Sequence, residues 1–260
     1  MKGLTGKVAV VAGGGQGIGA ATAHRLAGEG AVVVVADRSL PRARDTAAAI
    51  EESGSKAVAV EFDLGDAESI EALFAFVGAE FGGLDLLHNV AASLGANSLY
   101  SQDADVVDID PAVWSETLQI NLTGYFLTTK AAVPSMLERG GGAIVNMSSV
   151  ASVTGATEVA YSVSKSAVEA LTRHTARRWA PHGIRANCVA PGMVATPTGL
   201  ALTEERASDP VRAAAGLNPM NRLADPEEIA AIVTFLLSEE CNFLTGQVLS
   251  VNGGSYLATH

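Results

Sequence analysis

Cysteine is scarce in this chain, and positive charge is outnumbered by negative charge. The 260 residues include two cysteines, Cys188 and Cys241, too few for a disulfide framework. Both lie in apolar stretches, so we expect buried free thiols in a reducing compartment. Lys and Arg number 17 against 28 Asp and Glu, and no basic run offsets the net charge of −11. This balance excludes a protein that binds the phosphate backbone of nucleic acids.

Long hydrophobic runs and metal-ligand clusters are also absent. No apolar run approaches the roughly 20 residues of a membrane-spanning helix. At the N-terminus, glycines break the apolar run of MKGLTGKVAVVAGGG and no cleavage-type end follows, which is unlike a signal peptide. The histidines lack ligand spacing and the cysteines form no C-x-x-C pair. We therefore expect a soluble cytoplasmic protein with no metal site.

What the chain does have is an alternation of short β-branched runs with longer helical patterns. The runs are nearly continuous in apolar residues, as strands covered on both faces require. They occupy residues 7–13, 31–38, 56–64, 84–91, 142–149, 184–192 and 246–254. With no linker between them, this pattern predicts a single α/β domain over 1–260. The domain is a doubly wound, Rossmann-type fold, with a parallel seven-stranded sheet and helices on both faces.

Two segments fit neither element type. They are residues 93–111 and residues 197–221, and each follows the carboxyl end of a predicted strand. Open α/β sheets bind ligands at that edge. We therefore predict loops or lids over a site, with 197–221 as a substrate-side loop or lid.

A glycine-rich loop follows the first predicted strand. Gly13, Gly17 and Gly19 are spaced G-x-x-x-G-x-G, which lets backbone N–H groups approach a pyrophosphate at a helix N-terminus. A plain strand–helix turn would also explain the glycines. Asp37, however, ends the second strand 18 residues after Gly19, where a carboxylate accepts hydrogen bonds from a ribose and repels a 2′-phosphate. Arg38 favours the phosphate, but Asp37 is nearer, so the pattern predicts NAD rather than NADP.

Tyr161 and Lys165 stand four residues apart in TEVAYSVSKSAVEAL. Residues at this spacing share one helix face, and such a pair is often simply exposed on the surface of a helix without a catalytic role. A tyrosine is too weak a base at neutral pH, because its ordinary pKa is about 10. A cation one helical turn away would favour the phenolate. Whether Tyr161 and Lys165 are a reactive pair or two surface residues therefore depends on the other motifs in the chain.

Taken in order, the motifs resemble the short-chain dehydrogenase/reductase family over nearly the whole chain. The matching stretches are AGGGQGIG, FDLGD, LLHNVAA, QINLTG, IVNMSS, YSVSK and NCVAPGMVATP. Ala12, Val90, Ala92 and Asn252 depart from the family pattern. The resemblance implies an NAD-dependent oxidoreductase that interconverts a secondary alcohol and a ketone by hydride transfer.

The resemblance also implies roles for four residues. Tyr161 would be the acid/base, and Lys165 would bind the nicotinamide ribose and, with the positive nicotinamide ring, lower the pKa of Tyr161. Asn121 would position a water linking Lys165 to solvent, although a helix-kink or capping asparagine is the alternative. The family serine usually stands about 13 residues before the tyrosine, at Ser148. Alignment on the strand gives Ser149 instead, which we prefer while Ser148 stays open.

The cofactor-binding residues follow from the loop, the acid and the resemblance together. Asp63 and Leu64 would meet the adenine, and Val194 and Thr196 the nicotinamide amide. The full predicted set is Gly13, Gly15, Gln16, Gly17, Ile18, Gly19, Asp37, Arg38, Asp63, Leu64, Asn89, Ala91, Tyr161, Lys165, Pro191, Gly192, Val194 and Thr196.

Two other functions remain open, and the resemblance implies an assembly. One is a dinucleotide-binding regulator without turnover, and the other an isomerase or dehydratase that keeps NAD tightly bound. Family members are commonly homotetramers. The apolar helical segments 111–137 and 161–180 would form one interface between copies.

Overall fold

Seven parallel strands form one sheet in the computed structural model, which describes residues 1–95, 98–155, 158–204 and 218–257. The strand order is β3-β2-β1-β4-β5-β6-β7. The strands are β1 Val8–Ala12, β2 Val32–Asp37, β3 Lys56–Glu61, β4 Leu86–Asn89, β5 Gly142–Met147, β6 Ile184–Pro191 and β7 Val248–Val251. The predicted parallel seven-stranded sheet is thereby confirmed, and each observed strand lies within its predicted run.

Helices cover both faces of this sheet. They are α1 Gly17–Gly28, α2 Leu40–Glu52, α3 Ala67–Phe81, α4 Pro111–Leu118, α5 Gly124–Glu138, α6 Ala151–Thr154, α7 Val159–Trp179, α8 Pro197–Glu204 and α9 Pro226–Leu237. One apolar core joins the sheet to α1, α2 and α9, and a second joins it to α3, α5 and α7. Val11 belongs to the first core and Val10 to the second, because successive side chains of a strand point to opposite faces. The continuous apolar runs in the sequence follow from this double coverage.

The strand order reverses beside β1, which pairs with β2 on one side and β4 on the other. The connection after β1 leads to β2 on one side and the connection after β4 leads to β5 on the other, so a crevice opens at the carboxyl ends of β1 and β4. Backbone bonds close its floor: the Gly13 N–H donates to the carbonyl of Ala36 over 2.7 Å, and the Ala91 N–H donates to Ala12 over 2.8 Å. The glycine loop and the β4 end therefore meet at one point.

The two segments predicted as loops contain helical turns. Residues 197–204 form helix α8, because Pro197 suits a first helical turn and the Thr196 hydroxyl accepts the Gly199 N–H over 3.0 Å. The remainder of that prediction includes 205–217, which lies outside the described residues. In 93–111, Leu99–Gln102 form a short 3-10 helix, started by the Ser98 hydroxyl, which accepts the Tyr100 N–H.

Two further features bear on the expectations from the sequence. Cys188 and Cys241 are both buried free thiols, as predicted. Across the ranges described above, no helix combines the length and the apolarity needed to cross a membrane.

Candidate active site

The glycine loop is shaped by positions that exclude a side chain. Gly13 has a φ of 104° and Gly17 a φ of 54°, both in the region that favours glycine. A Cβ on Gly13 would lie 2.6 Å from the backbone nitrogen of Ala91, and a Cβ on Gly19 would overlap the carbonyl oxygen of Gly13. The loop therefore packs backbone against backbone and leads directly into the N-terminus of α1, which can bind an anion.

Asp37 closes one side of this loop from the end of β2. One carboxylate oxygen accepts the Gly15 N–H over 2.9 Å, and the other accepts the Ser39 N–H over 2.9 Å. The neighbouring Arg38 is exposed. The carboxylate is thus fixed beside the loop, as the sequence predicted, and each of its oxygens keeps lone pairs for a ribose hydroxyl.

The floor of the crevice comes from the ends of β3 and β4. The Asp63 carboxylate accepts the Gly65 N–H over 2.8 Å, and Leu64 is buried against Gly124. The Asn89 side-chain amide donates to Asn146, while its oxygen, Oδ1, is buried without a hydrogen-bond partner among the described residues. A crevice with a glycine cradle, a carboxylate beside it and an unpaired amide oxygen fits a dinucleotide.

The far wall follows β6, which ends at Pro191 and is followed by Gly192. Val194 is buried and forms a bridge with Ala224, while Ile18 packs against the core under the loop. The methyl group of Thr196 lies 2.9 Å from the position of a Cβ on Gly17, and the Gln16 amide donates to the Thr198 hydroxyl over 3.4 Å. The predicted cofactor residues before β2 and after β6 therefore face one another across the crevice.

Helix α7 carries the Tyr–Lys pair into the same crevice. Tyr161 and Lys165 are both buried, which rules out the interpretation of a surface pair. The Lys165 ammonium donates to the carbonyl of Met147 over 2.9 Å and lies 5.7 Å from the centre of the Tyr161 ring. It also lies 5.1 Å from the ring of Tyr125, whose hydroxyl donates to the Ala91 carbonyl. Lys165 is therefore held rigidly between β5 and α5.

Burial dominates the protonation of the pair. It raises the pKa of Tyr161 to about 12; Ser149 acts in the opposite direction and lowers this pKa, while the charge of Glu158 raises it further. Burial also lowers the pKa of Lys165 to about 8. The lowering of the Tyr161 pKa by Lys165 together with the positive nicotinamide ring stays a prediction. In this structure the Tyr161 phenol is protonated at neutral pH.

The two candidate serines point in different directions. Ser149 is close enough to Tyr161 to lower the pKa of its phenol, and the Ser149 oxygen accepts the Ala151 N–H over 3.2 Å. The Ser148 hydroxyl is buried behind it, 3.1 Å from the carbonyl of Lys165 and 2.9 Å from the Glu169 carboxylate. Ser149 is thus the serine beside the phenol, and Ser148 faces away from it.

Asn121 lies in an irregular turn between α4 and α5. Residues Gln119–Thr123 form a π-helical turn, which interrupts the helical segment predicted over 111–137. Such turns are frequent at functional sites. The Asn121 oxygen accepts the Ser93 N–H over 2.9 Å, and its amide donates to the Ser164 hydroxyl over 3.2 Å. The asparagine therefore ties the loop after β4 to α7, and both the structural alternative and the catalytic role are compatible with its position.

Comparisons with known proteins identify the family. A family model described as enoyl-(acyl carrier protein) reductase matches residues 12–256. The chain is 41% identical over 250 residues to cis-4-hydroxycyclohexanecarboxylate dehydrogenase of Sinomonas cyclohexanicum, covering 95% of this chain and 96% of the relative. It belongs to the short-chain dehydrogenase/reductase family.

Two further members of this family extend the match. Human dehydrogenase/reductase SDR family member 4 is 36% identical over 258 residues, covering 97% of this chain and 88% of the relative. The crystal structure of L-sorbose reductase from Gluconobacter frateurii, complexed with NADPH and L-sorbose, superposes with a TM-score of 0.90. It is 30% identical to this chain and covers 98% of both chains. The present short-chain dehydrogenase/reductase is therefore an oxidoreductase of alcohols or ketones with a nicotinamide cofactor.

Three side chains of this dehydrogenase/reductase contact the site without having been predicted from the sequence. Tyr100 packs edge-on against Tyr161, with ring centres 5.1 Å apart. The Asp103 carboxylate accepts the backbone N–H groups of Ala160 and Tyr161. Glu169 lies one helical turn beyond Lys165 and bonds the segment that carries Ser149. Only Glu169 had a signal in the sequence, as an acid on the apolar face that begins with Tyr161 and Lys165.

Proposed function

We propose that this protein is an NAD-dependent alcohol dehydrogenase or ketoreductase that interconverts a secondary alcohol and a ketone, with Tyr161 as the acid/base. The observation that carries the proposal is the buried Tyr161 at the carboxyl edge of the sheet, one helical turn from the buried Lys165 and beside Ser149, which lowers the pKa of its phenol.

Each polar group has a defined part in this reaction. When bound, the nicotinamide supplies the acceptor or donor of the hydride. Tyr161 takes the alcohol proton during oxidation and returns it during reduction, and Ser149 donates a hydrogen bond to the substrate oxygen. The Lys165 ammonium, together with the positive ring of a bound oxidised nicotinamide, would favour the phenolate. Asn121 is the proposed anchor of a water that links Lys165 to solvent.

The preference for NAD rests on Asp37. Its carboxylate is held at the loop by the N–H groups of Gly15 and Ser39. A 2′-phosphate beside it would place two negative charges together, whereas ribose hydroxyls donate to it. Arg38 beside it is exposed and makes a weaker case for NADP, the cofactor in the L-sorbose reductase structure.

We also propose that the single domain holds both the cofactor and the substrate, with segment 197–221 on the substrate side. The support is the position of Thr198 at the start of α8. Its hydroxyl accepts from Gln16 of the glycine loop, and its methyl lies 3.5 Å from the position of a Cβ on Gly95 after β4. This helix start therefore stands across the mouth of the crevice.

A homotetramer is the proposed assembly. Helices α5 and α7 each expose a large apolar side chain, Phe126 and Val163, and exposed apolar surface of this kind suits contacts between copies. Light scattering on the purified protein measures the mass directly, and a monomer would contradict the assembly.

The deciding experiment follows reduced-nicotinamide absorbance with NAD and with NADP over a panel of secondary alcohols. The panel includes cis-4-hydroxycyclohexanecarboxylate and the hexitols formed when the ketone of L-sorbose is reduced, since the names of two similar proteins specify this alcohol and L-sorbose. We expect turnover with NAD, and a fall in kcat of about 10²–10⁴-fold in Tyr161→Phe with NAD affinity retained. NAD affinity is measured by fluorescence titration in both proteins.

Other outcomes favour the alternatives. Turnover with NADP alone would contradict the Asp37 argument and leave the catalytic one intact. NAD binding without turnover across the panel would favour a regulator. Stoichiometric NAD in the purified protein would favour an isomerase or dehydratase.

A further inference from the structure

Glu169 is a buried carboxylate that the proposed reaction does not use. It follows Tyr161 by eight residues and Lys165 by four on α7, so it lies near the same face of the helix. Burying a carboxylate is costly unless hydrogen bonds or an opposite charge compensate. A specific set of partners should therefore account for its presence.

The partners of Glu169 are mainly two serine hydroxyls. Ser148 donates to Oε1 over 2.9 Å, and Ser152 donates to the same oxygen over 2.5 Å. The other oxygen lies 3.8 Å from the guanidinium of Arg173, whose side chain is 55% exposed. Such a solvent-facing pair contributes little, so the serines are the main contacts of the carboxylate.

The two serines are the ends of the turn that carries Ser149. On the opposite side, backbone bonds hold this turn to β6: the Ser148 N–H donates to Val189 over 2.8 Å, and the Val150 N–H donates to Pro191 over 2.9 Å. On the α7 side, the Ser166 hydroxyl donates to the Ser152 carbonyl over 2.7 Å. Glu169 is the group that holds both ends of the turn to the helix of Tyr161.

We propose that Glu169 is a positioning residue, whose carboxylate holds Ser148 and Ser152 and thereby keeps the Ser149 hydroxyl on Tyr161. This inference rests on the proposed function, in which Tyr161 is the acid/base and Ser149 its partner. Without Glu169, Ser148 retains an alternative acceptor in the Lys165 carbonyl, but Ser152 loses its carboxylate. The turn would then be held to α7 by Ser148 and Ser166, and the Ser152 hydroxyl would have lost its acceptor.

The position of Ser149 is reported by the titration of Tyr161. The Ser149 hydrogen bond lowers the pKa of Tyr161, so loosening it raises the pH at which the base becomes active. The other charged groups around the pair are Glu158 beside the phenol, Arg173 on α7 and Lys165. A Glu169 variant leaves Glu158 and Lys165 unchanged, but it removes the ion-pair partner of Arg173 and a negative charge that raises the pKa of Cys188.

The test compares Glu169→Ala and Glu169→Gln with Thr175→Ala in alcohol oxidation with NAD. Thr175 is a buried residue of the same helix that donates only within it, to the Leu171 carbonyl, and so controls for helix stability. For Glu169→Ala we expect kcat to fall about tenfold with NAD affinity unchanged, and the acid limb of the pH profile to move to higher pH. Glu169→Gln should recover part of the loss, because its amide oxygen still accepts the serine hydroxyls.

Ser152→Ala keeps the proposal testable if the Glu169 variants do not fold. Ser152→Ala should move the acid limb of the pH profile in the same direction by a smaller amount. Combined with Glu169→Ala, it should add little to the shift or to the fall in kcat, because the two residues act through one contact. Two results overturn the proposal: an unchanged kcat in the Glu169 variants, or a kcat that falls equally at every pH while the acid limb of the pH profile stays where it is, as a stability defect would give. Tyr161→Phe is measured in parallel. If Tyr161→Phe retains turnover, the proposed function fails; if it loses turnover while the Glu169 variants behave as wild type, only the positioning role of Glu169 is overturned.

Discussion

The two halves of the crevice are built by different means. The cofactor half, at the ends of β1 to β3, consists of a glycine loop packed backbone to backbone and one fixed carboxylate, Asp37. The catalytic half, at the ends of β4 to β7, depends on side chains that join distant segments. Asn121 bonds Ser164 across 43 residues of chain, and Asp103 bonds Tyr161 across 58.

The two halves are therefore sensitive to different substitutions. A loop made of glycines tolerates almost no added atom, because its backbone segments are packed against one another. Apart from the Tyr161 hydroxyl itself, a site made of long-range hydrogen bonds tolerates changes of single atoms better, because neighbouring contacts share the positioning. Substitutions in the glycine loop should strongly weaken cofactor binding, and substitutions of the positioning residues in the catalytic half should reduce kcat by smaller factors.

The largest expected effect is that of Gly19→Ala. The new Cβ would overlap the carbonyl of Gly13, so the loop must open where it meets a pyrophosphate. We expect the NAD dissociation constant to rise about a hundredfold or more, equivalent to about 2.7 kcal/mol, by fluorescence titration. In the activity that remains, the limb of the pH profile that reports Tyr161 should stay at the same pH.

Gly28→Ala is the matched control on the same helix. A Cβ there has nothing within 4 Å, so NAD affinity should be unchanged and α1 slightly more stable. If Gly19→Ala and Gly28→Ala had the same NAD dissociation constant, cofactor binding would not depend on the close backbone packing of Gly19 against Gly13.

The second prediction concerns His88, on the strand that joins the halves. It pairs in register with Val11 of β1 and Val145 of β5, and neither ring nitrogen has a hydrogen-bond partner in the described residues. Burial lowers the pKa of His88 to about 3 from the ordinary 6.5. The folded protein holds this imidazole neutral while the unfolded chain protonates it, so stability falls as pH decreases below about 6.5.

The size of this effect follows from the linkage. Between pH 7.5 and pH 5, His88 should account for about 2 kcal/mol of lost unfolding free energy. His88→Leu should remove that part of the pH dependence in urea titrations, whereas His24→Gln, at an exposed position of α1, should leave it in place. If the unfolding free energy changed with pH equally in wild type and in His88→Leu, His88 would have to take up a proton in the folded state.

The sequence predicted the cofactor half more completely than the catalytic half. Glycine spacing and an acid after a strand are local signals, so the loop, Asp37 and the parallel sheet were accessible from the residues alone. The preference for Ser149 over Ser148 came from strand register, and the structure places Ser149 beside Tyr161. Asp103 and Tyr100 had no local signal, because their role arises only when the segment after β4 packs on α7. The raised pKa of Tyr161 also had no local signal, because it arises from burial of the side chain in the folded protein.

The smallest expected effect is that of Asp103→Ala, and it probes this long-range construction directly. The Asp103 oxygens accept the N–H groups of Ala160 over 3.2 Å and Tyr161 over 2.9 Å, while the Val159 N–H donates to the Ala104 carbonyl over 3.1 Å. The first turn of α7 is therefore capped by a segment more than 50 residues upstream. Losing the cap should cost about 1 kcal/mol of stability and reduce kcat about fivefold, with NAD affinity unchanged. Asp108→Ala, an exposed acid of the same segment, is the control for lost charge and should retain wild-type kcat. If Asp103→Ala weakened NAD binding as strongly as it weakened kcat, the two halves of the crevice would be coupled through α7, and the division between them would have to be abandoned.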